Sequence, residues 1–197
     1  EESVNLALKT NNALNLFMAY CFRSMAFSLR QEPEEAKASL IEAEKLTKDL
    51  KIPLVLTQYL IARSYIEIEA IKIPRSVKSN IETLLRTTGD LIKYAQKARA
   101  NLTEAYRLRA VAYWILDKPS SAVKYFRRST EAGIGYGGNL ELSRTYFEIG
   151  KFLRDPKNRR DRINGMNGTE CLLKAKTMFE EMNLQWDLAE YEKYAGK

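Results

Sequence analysis

Apolar residues recur every three or four positions along almost the whole chain, and that period restricts the fold to packed helices. The stripe runs through Leu14, Phe17, Met18, Cys21, Met25 and Leu29, then Leu40, Ala43, Leu46 and Leu50, then Leu56, Tyr59, Leu60 and Ile66. This is the spacing of one helix face, and no stretch alternates as a strand would. The prolines agree with it. Pro33, Pro53 and Pro119 can each open a helix, Pro74 follows a long apolar segment, and Pro156 lies in a polar loop. Nine helices are predicted, over 3–30, 33–50, 53–73, 76–100, 102–116, 119–132, 139–154, 168–182 and 185–195. Asn101 and Glu104 read as a capping box at the start of the fifth. Gly133, Gly135, Gly137 and Gly138 read as one linker, and Gly165 with Gly168 as the end of the polar loop.

Composition narrows the chemistry. A chain of 197 residues that is 45% apolar and 29% charged can bury its own core without a disulfide or metal. It has no run of 18 apolar residues, so no membrane span is expected. Cys21 and Cys171 stand in apolar helical stretches and read as small buried hydrophobes, which suits a reducing cytoplasm. The chain has no His, which removes the commonest general base, the Ser-His and Cys-His nucleophile pairs and imidazole zinc sites. Asp and Glu fall among Lys and Arg on helix faces, where ion pairing is the expected role. No catalytic residue, metal site or cofactor is expected. The opening Glu1-Glu2-Ser3 has neither an initiator Met nor a signal-peptide pattern, so the sequence reads as part of a longer protein, a single helical domain over 1–197.

The helices read as antiparallel hairpins. Two segments, "QEPEEAKASLIEAEKL" from Gln31 and "DKPSSAVKYFRRSTEA" from Asp117, place small, large and small residues at intervals of four and three: Ala36, Leu40, Ala43 and Ala122, Phe126, Ser129. Small residues let two helix backbones approach, and the large one fills the space beside them. Tyr106, Ala110, Tyr113, Ala122, Phe126 and Ser129 fit the six hallmark positions of a 34-residue unit. In these residues the chain resembles the tetratricopeptide repeat (TPR) family. It departs from the pattern at Arg109, where Leu is usual, and in lacking the terminal Pro. Carrying the second-helix triplet along the chain adds Thr88, Ile92, Ala95 and Gly168, Leu172, Ala175. The anchors 36, 88, 122 and 168 then lie 52, 34 and 46 apart. The resemblance implies an all-α TPR-like solenoid of about four antiparallel hairpins with a C-terminal capping helix.

The excess of 12 in the last interval coincides with Asp155 to Met166. The basic residues Arg154, Lys157, Arg159, Arg160 and Arg162 therefore read most simply as an insertion inside the last hairpin, polar because a loop cannot bury its backbone. A contact with an acidic protein or a phosphate is the next reading, and nucleic acid the last. The net charge of +7 is compatible with acidic partners, but the cations are scattered and show no stripe with interleaved aromatics.

Within the resemblance, first helices line a concave partner surface. Its geometry puts Arg107, Val111 and Trp114 of the third hairpin on that face, Arg144, Phe147 and Glu148 of the fourth, and Tyr59, Arg63 and Glu67 of the second. Arg63, Arg107 and Arg144 would form a ladder able to grip carboxylates; equally, they can pair internally with Glu67, Glu104 and Glu148. The segments "NLELSRTYFEIGKFL" and "CLLKAKTMFEEMNLQWDLAEYEKYA" look like the end of the repeat arrays of bacterial signal-transduction ATPases and multidomain adenylate cyclases. That resemblance implies a regulatory region. Three functional readings follow: a cytoplasmic protein or peptide-binding module of a signalling protein, self-association included; a nucleic-acid binder using the 154–162 loop; and an enzyme or small-molecule sensor with a pocket between hairpins near Tyr136.

Overall fold

A computed structural model describes residues 2–9, 12–47, 52–72, 78–97 and 99–196. The predicted helix ends at 48–50, 73 and 76–77, with Leu50 of the apolar stripe and Pro74, lie outside the described residues. The described chain is all-helical apart from one two-stranded ribbon. None of its helices is long and apolar enough to cross a membrane. It divides into two compact units, Glu1–Arg99 and Ala100–Lys197.

The first unit holds α1 (Glu2–Lys9), α2 (Ala13–Leu29), α3 (Pro33–Thr47), α4 (Pro53–Lys72) and α5 (Lys78–Ala95). The single helix expected over 3–30 is two, because the Asn12 carboxamide accepts the backbone N–H groups of Leu14 and Asn15 at 3.0 and 3.1 Å and so caps a fresh helix. Within the unit α2 packs on α3 and α4 on α5. Phe17, Cys21, Ala43, Val55, Tyr59 and Ala62 form a core cluster there. The Ser24 hydroxyl donates to the Ala36 carbonyl at 2.9 Å, which requires the close backbone approach that Ala36 permits.

A 3-10 turn, Arg99–Asn101, lies at the junction of the two units in the chain and runs into α6 (Leu102–Ile115), the first helix of the second unit. That unit continues through α7 (Pro119–Tyr136), α8 (Asn139–Leu153), β1 (Arg162–Ile163), β2 (Met166–Asn167), α9 (Gly168–Glu181) and α10 (Gln185–Ala195). Here α6 packs on α7, α8 on α9, and α10 on α9. The core gathers Phe126, Phe152, Phe179, Ile149 and Cys171. Gly150 shows how tightly the last hairpin closes: a Cβ there would come within 2.6 Å of the Leu172 side chain and 3.0 Å of the Gly168 carbonyl.

Three expectations about this unit are corrected. The Gly-rich linker is largely helix, since α7 continues past 132 to Tyr136 with Gly133 buried under Leu142, and only Gly137 turns the chain, in the left-handed cap. The Asn101 side chain makes no cap hydrogen bond, because the 3-10 turn sets its backbone outside the geometry a capping box needs. A true capping box stands at Asn167 and Glu170 instead. Finally, a chain read as strand-free contains a β-hairpin inside the basic loop. Arg162 pairs with Asn167 and Ile163 with Met166, around Asn164 and Gly165 at φ 51° and 79°, the two positive values of a type I′ turn.

Candidate functional site

The predicted partner-facing residues fall in both units. In the first, Tyr59 on α4 is 8% exposed. Burial raises its phenol pKa, and the Glu44 carboxylate adds to that rise against the opposing pull of Arg63. One turn on, Arg63 donates to Glu67 at 2.7 Å, and Glu67 also accepts from the Thr87 hydroxyl on α5 at 3.0 Å. Burial by itself would lower the Arg63 pKa, but Glu67 outweighs it and the value is raised. The internal pairing read from the sequence is therefore present at this position.

In the second unit Arg107 and Arg144 belong to one ion-paired chain. Arg107, only 5% exposed, reaches Glu104 on its own helix at 3.2 Å and Glu141 on α8 at 2.5 Å. Glu141 also meets Arg144 at 3.0 Å. Arg144 grips Asp187 on α10 with both arms of its guanidinium, at 2.8 and 3.0 Å. Burial pushes the Glu141 carboxyl up, but the two guanidiniums facing it more than offset this and hold it below the ordinary carboxylate value. The Arg144 guanidinium, opposed by burial, is nevertheless raised by Asp187 and Glu141.

The expected pairing of Arg144 with Glu148 does not form, since Glu148 takes Lys151 at 2.7 Å. The residues that complete the chain, Glu141 and Asp187, went unrecognised. Their contacts span 34 and 43 residues, beyond the range of helical i,i+4 reasoning. The chemistry of the arrangement is that of a stitch joining α6, α8 and α10, with each cation facing carboxylates of the chain itself.

Trp114 closes one end of α6. Its indole N–H donates to Asp155 at 2.7 Å and its ring meets Phe152 edge-on at 5.7 Å. Beside it opens a cleft of about 140 Å³ lined also by Asp117, Asp155, Lys157 and Asn158, a volume that suits one side chain better than a drug-sized ligand. Tyr136, proposed as a pocket residue, is half exposed at the end of α7 and does not line this cleft.

The basic loop is an ordered structure. Asp155 accepts the Lys157 backbone N–H at 3.0 Å, and Asn158 donates to the Phe152 carbonyl at 3.0 Å. Ile163, 1% exposed, enters the core, which supplies roughly 1.5–3 kcal/mol of anchoring. Asn164 donates to the Thr130 hydroxyl on α7 at 2.9 Å, and Arg160 to the Ser120 hydroxyl at 3.4 Å. Arg162 is spent on the Gly165 carbonyl and faces Glu170 at 3.6 Å. The stem of Arg154 lies against Gly168. Lys157 and Arg159 are exposed, with no ion-pair partner among the described residues. The sequence signal for this structure was the Asn-Gly pair between Ile163 and Met166.

Among the described residues no group of three or more His, Cys, Asp or Glu side chains is placed to hold a metal ion. Burial pushes the Cys21 thiol to about 12 and the Cys171 thiol to about 11, so both stay protonated and unreactive near neutrality. Compared with known proteins, the chain matches no protein-family model and no curated protein.

Proposed function

We propose that this chain is a protein-interaction module of TPR-like helical hairpins, which holds a peptide or protein segment on the face lined by its first helices. One observation carries the reading. At the four places where the repeat spacing puts a small-large-small triplet, Ala36, Ala43, Thr88, Ala95, Ala122, Ser129, Gly168 and Ala175 are all buried. Buried small residues at this spacing in each of the four second helices favour a repeat, since a general helical bundle need not place them so. The pairing of consecutive helices within each unit supports it too.

The ion-paired chain limits how such a face works. Arg107 and Arg144 are engaged by Glu141 and Asp187, so we assign the partner contact to Trp114 beside its cleft and to Glu148 on α8, whose pairing with Lys151 stays on its own helix. The resemblance of the C-terminal segment to signalling arrays supports a regulatory role in a larger protein. Capture of partners from the source cells tests the reading, comparing the wild-type chain with a Trp114→Phe/Glu148→Gln variant that keeps an aromatic ring at 114 and the side-chain shape at 148 while removing the indole N–H and the carboxylate charge. A stoichiometric protein companion, recovered several-fold less by the variant at equal helicity, is the expected result. Recovery of no protein companion, or of one indifferent to both changes, would overturn the assignment of this face.

A further inference from the structure

The basic loop leaves a cationic surface that its own anchors do not use. Of the second unit's net charge of +4, the nine residues 154–162 carry +3, with five cations against Asp155 and Asp161. The loop is tied to α7 at Ser120 and at Thr130. Between those ties α7 presents Lys124 and Arg127, which follow Ser120 at spacings of four and three and so share its face. Lys124, Arg127, Lys157 and Arg159 are all exposed, and no carboxylate of the described residues pairs with any of them. The ties hold the basic loop beside a stretch of α7 ten residues long, about 15 Å, so the cations of the two segments belong to one neighbourhood.

A helix-helix connection needs only two to eight residues. This one is longer, builds its own hairpin and is tethered in three places, yet it crowds like charges that repel one another. Fixing unpaired cations in register costs entropy and Coulomb energy, and an anionic partner offsets both. The length fits four or five residues of extended chain, at about 3.3 Å each. Neither the loop nor the outward strip of α7 offers an aromatic ring for base stacking. Asp161, in the loop, and Glu131, one turn past Arg127, would meet a continuous phosphate backbone unfavourably, whereas a peptide can set neutral residues opposite them.

We infer that the strip between α7 and the 154–162 loop is a docking surface for an extended, Asp/Glu-rich protein segment. The inference rests on the protein-interaction reading and assigns that module a second contact, which borders the Trp114 cleft at Lys157 and is tested at Arg127 and Arg159. A fluorescein-labelled decapeptide of alternating Glu and Ser, titrated with the full chain by anisotropy at low and physiological salt, tests it. An Arg127→Glu/Arg159→Glu variant should bind at least tenfold more weakly. A Lys93→Glu/Lys97→Glu variant, with the same change in net charge but in the first unit, should stay within twofold of wild type. Equal weakening by both variants, or no binding by the wild type, overturns the inference. A 20-nucleotide single strand or an RNA duplex that binds more tightly than the peptide, and is lost with the first variant alone, overturns it in favour of nucleic acid. If the cell-derived companion depends on Trp114 and Glu148 while the decapeptide ignores Arg127 and Arg159, the module stands and this surface fails.

Discussion

Glu141 stands at the middle of the second unit's ion-paired chain, because it accepts from Arg107 on α6 and from Arg144 on its own helix. A buried pair stripped of one partner leaves an uncompensated charge, which typically costs 3–5 kcal/mol. Glu141→Gln keeps the shape and removes the charge facing two guanidiniums, so a loss of about 3 kcal/mol at pH 7 is expected. The folded carboxyl lies below its ordinary value of about 4.3, so its stabilisation is complete above that value and is lost as pH falls through the folded one. Urea midpoints of wild type and variant should therefore stand far apart at pH 7 and converge toward pH 3. A gap of the same size at both would show that the charge of Glu141 is not what the variant lost. The sequence pointed to Arg107 and Arg144 through a family geometry, but their true partners required knowing which helices become neighbours.

Helix by helix, the legible features were those written in local periodicity. Pro33, Pro53 and Pro119 open α3, α4 and α7, as their fixed φ predicts, and the small residues of the triplets are buried, while the large ones between them are buried at Phe126 and Leu172 and only partly so at Leu40 and Ile92. Features that depend on competition between local signals were misread. Gly133 resembled a linker residue, yet tertiary packing under Leu142 favours helix over the intrinsic cost of glycine. Asn101 and Glu104 matched the capping-box pattern, while the real box at Asn167 and Glu170 followed a hairpin that the helical period had hidden. The two caps make a direct comparison. Asn167→Ala removes a hydrogen bond to the Glu170 backbone N–H at 2.9 Å and should destabilise by about 1 kcal/mol. Asn101→Ala removes no cap bond and takes away a buried amide nitrogen that lacks a partner, so its denaturation midpoint should stay level or rise. Equal losses at the two sites would mean that the cap geometry is not what stabilises α9.

For the chain as a whole, the two compact units each own a core, one around Phe17, Cys21 and Ala62, the other around Phe126, Phe152 and Phe179. Regions with separate cores open with their own free energies, and amide exchange reads those energies directly. The slowest amides should therefore form two sets, one in the middle of α2 and α4 and one in α6 to α9, with α1 and the chain's end exchanging first. Gly150→Ala separates the sets. The added methyl meets the Leu172 side chain and the Gly168 carbonyl, and overpacking of this kind costs roughly 1–3 kcal/mol, more than the helix propensity that alanine gains, about 1 kcal/mol. Protection in α6 to α9 should fall about tenfold for each 1.4 kcal/mol lost, while protection in α2 and α4 keeps its wild-type value. A common fall in both sets would make the chain one cooperative body, and partner binding on either unit would then stabilise the other. Separate behaviour would confine the linkage to the unit that binds, so that a ligand on the 154–162 surface raises protection in α6 to α9 alone.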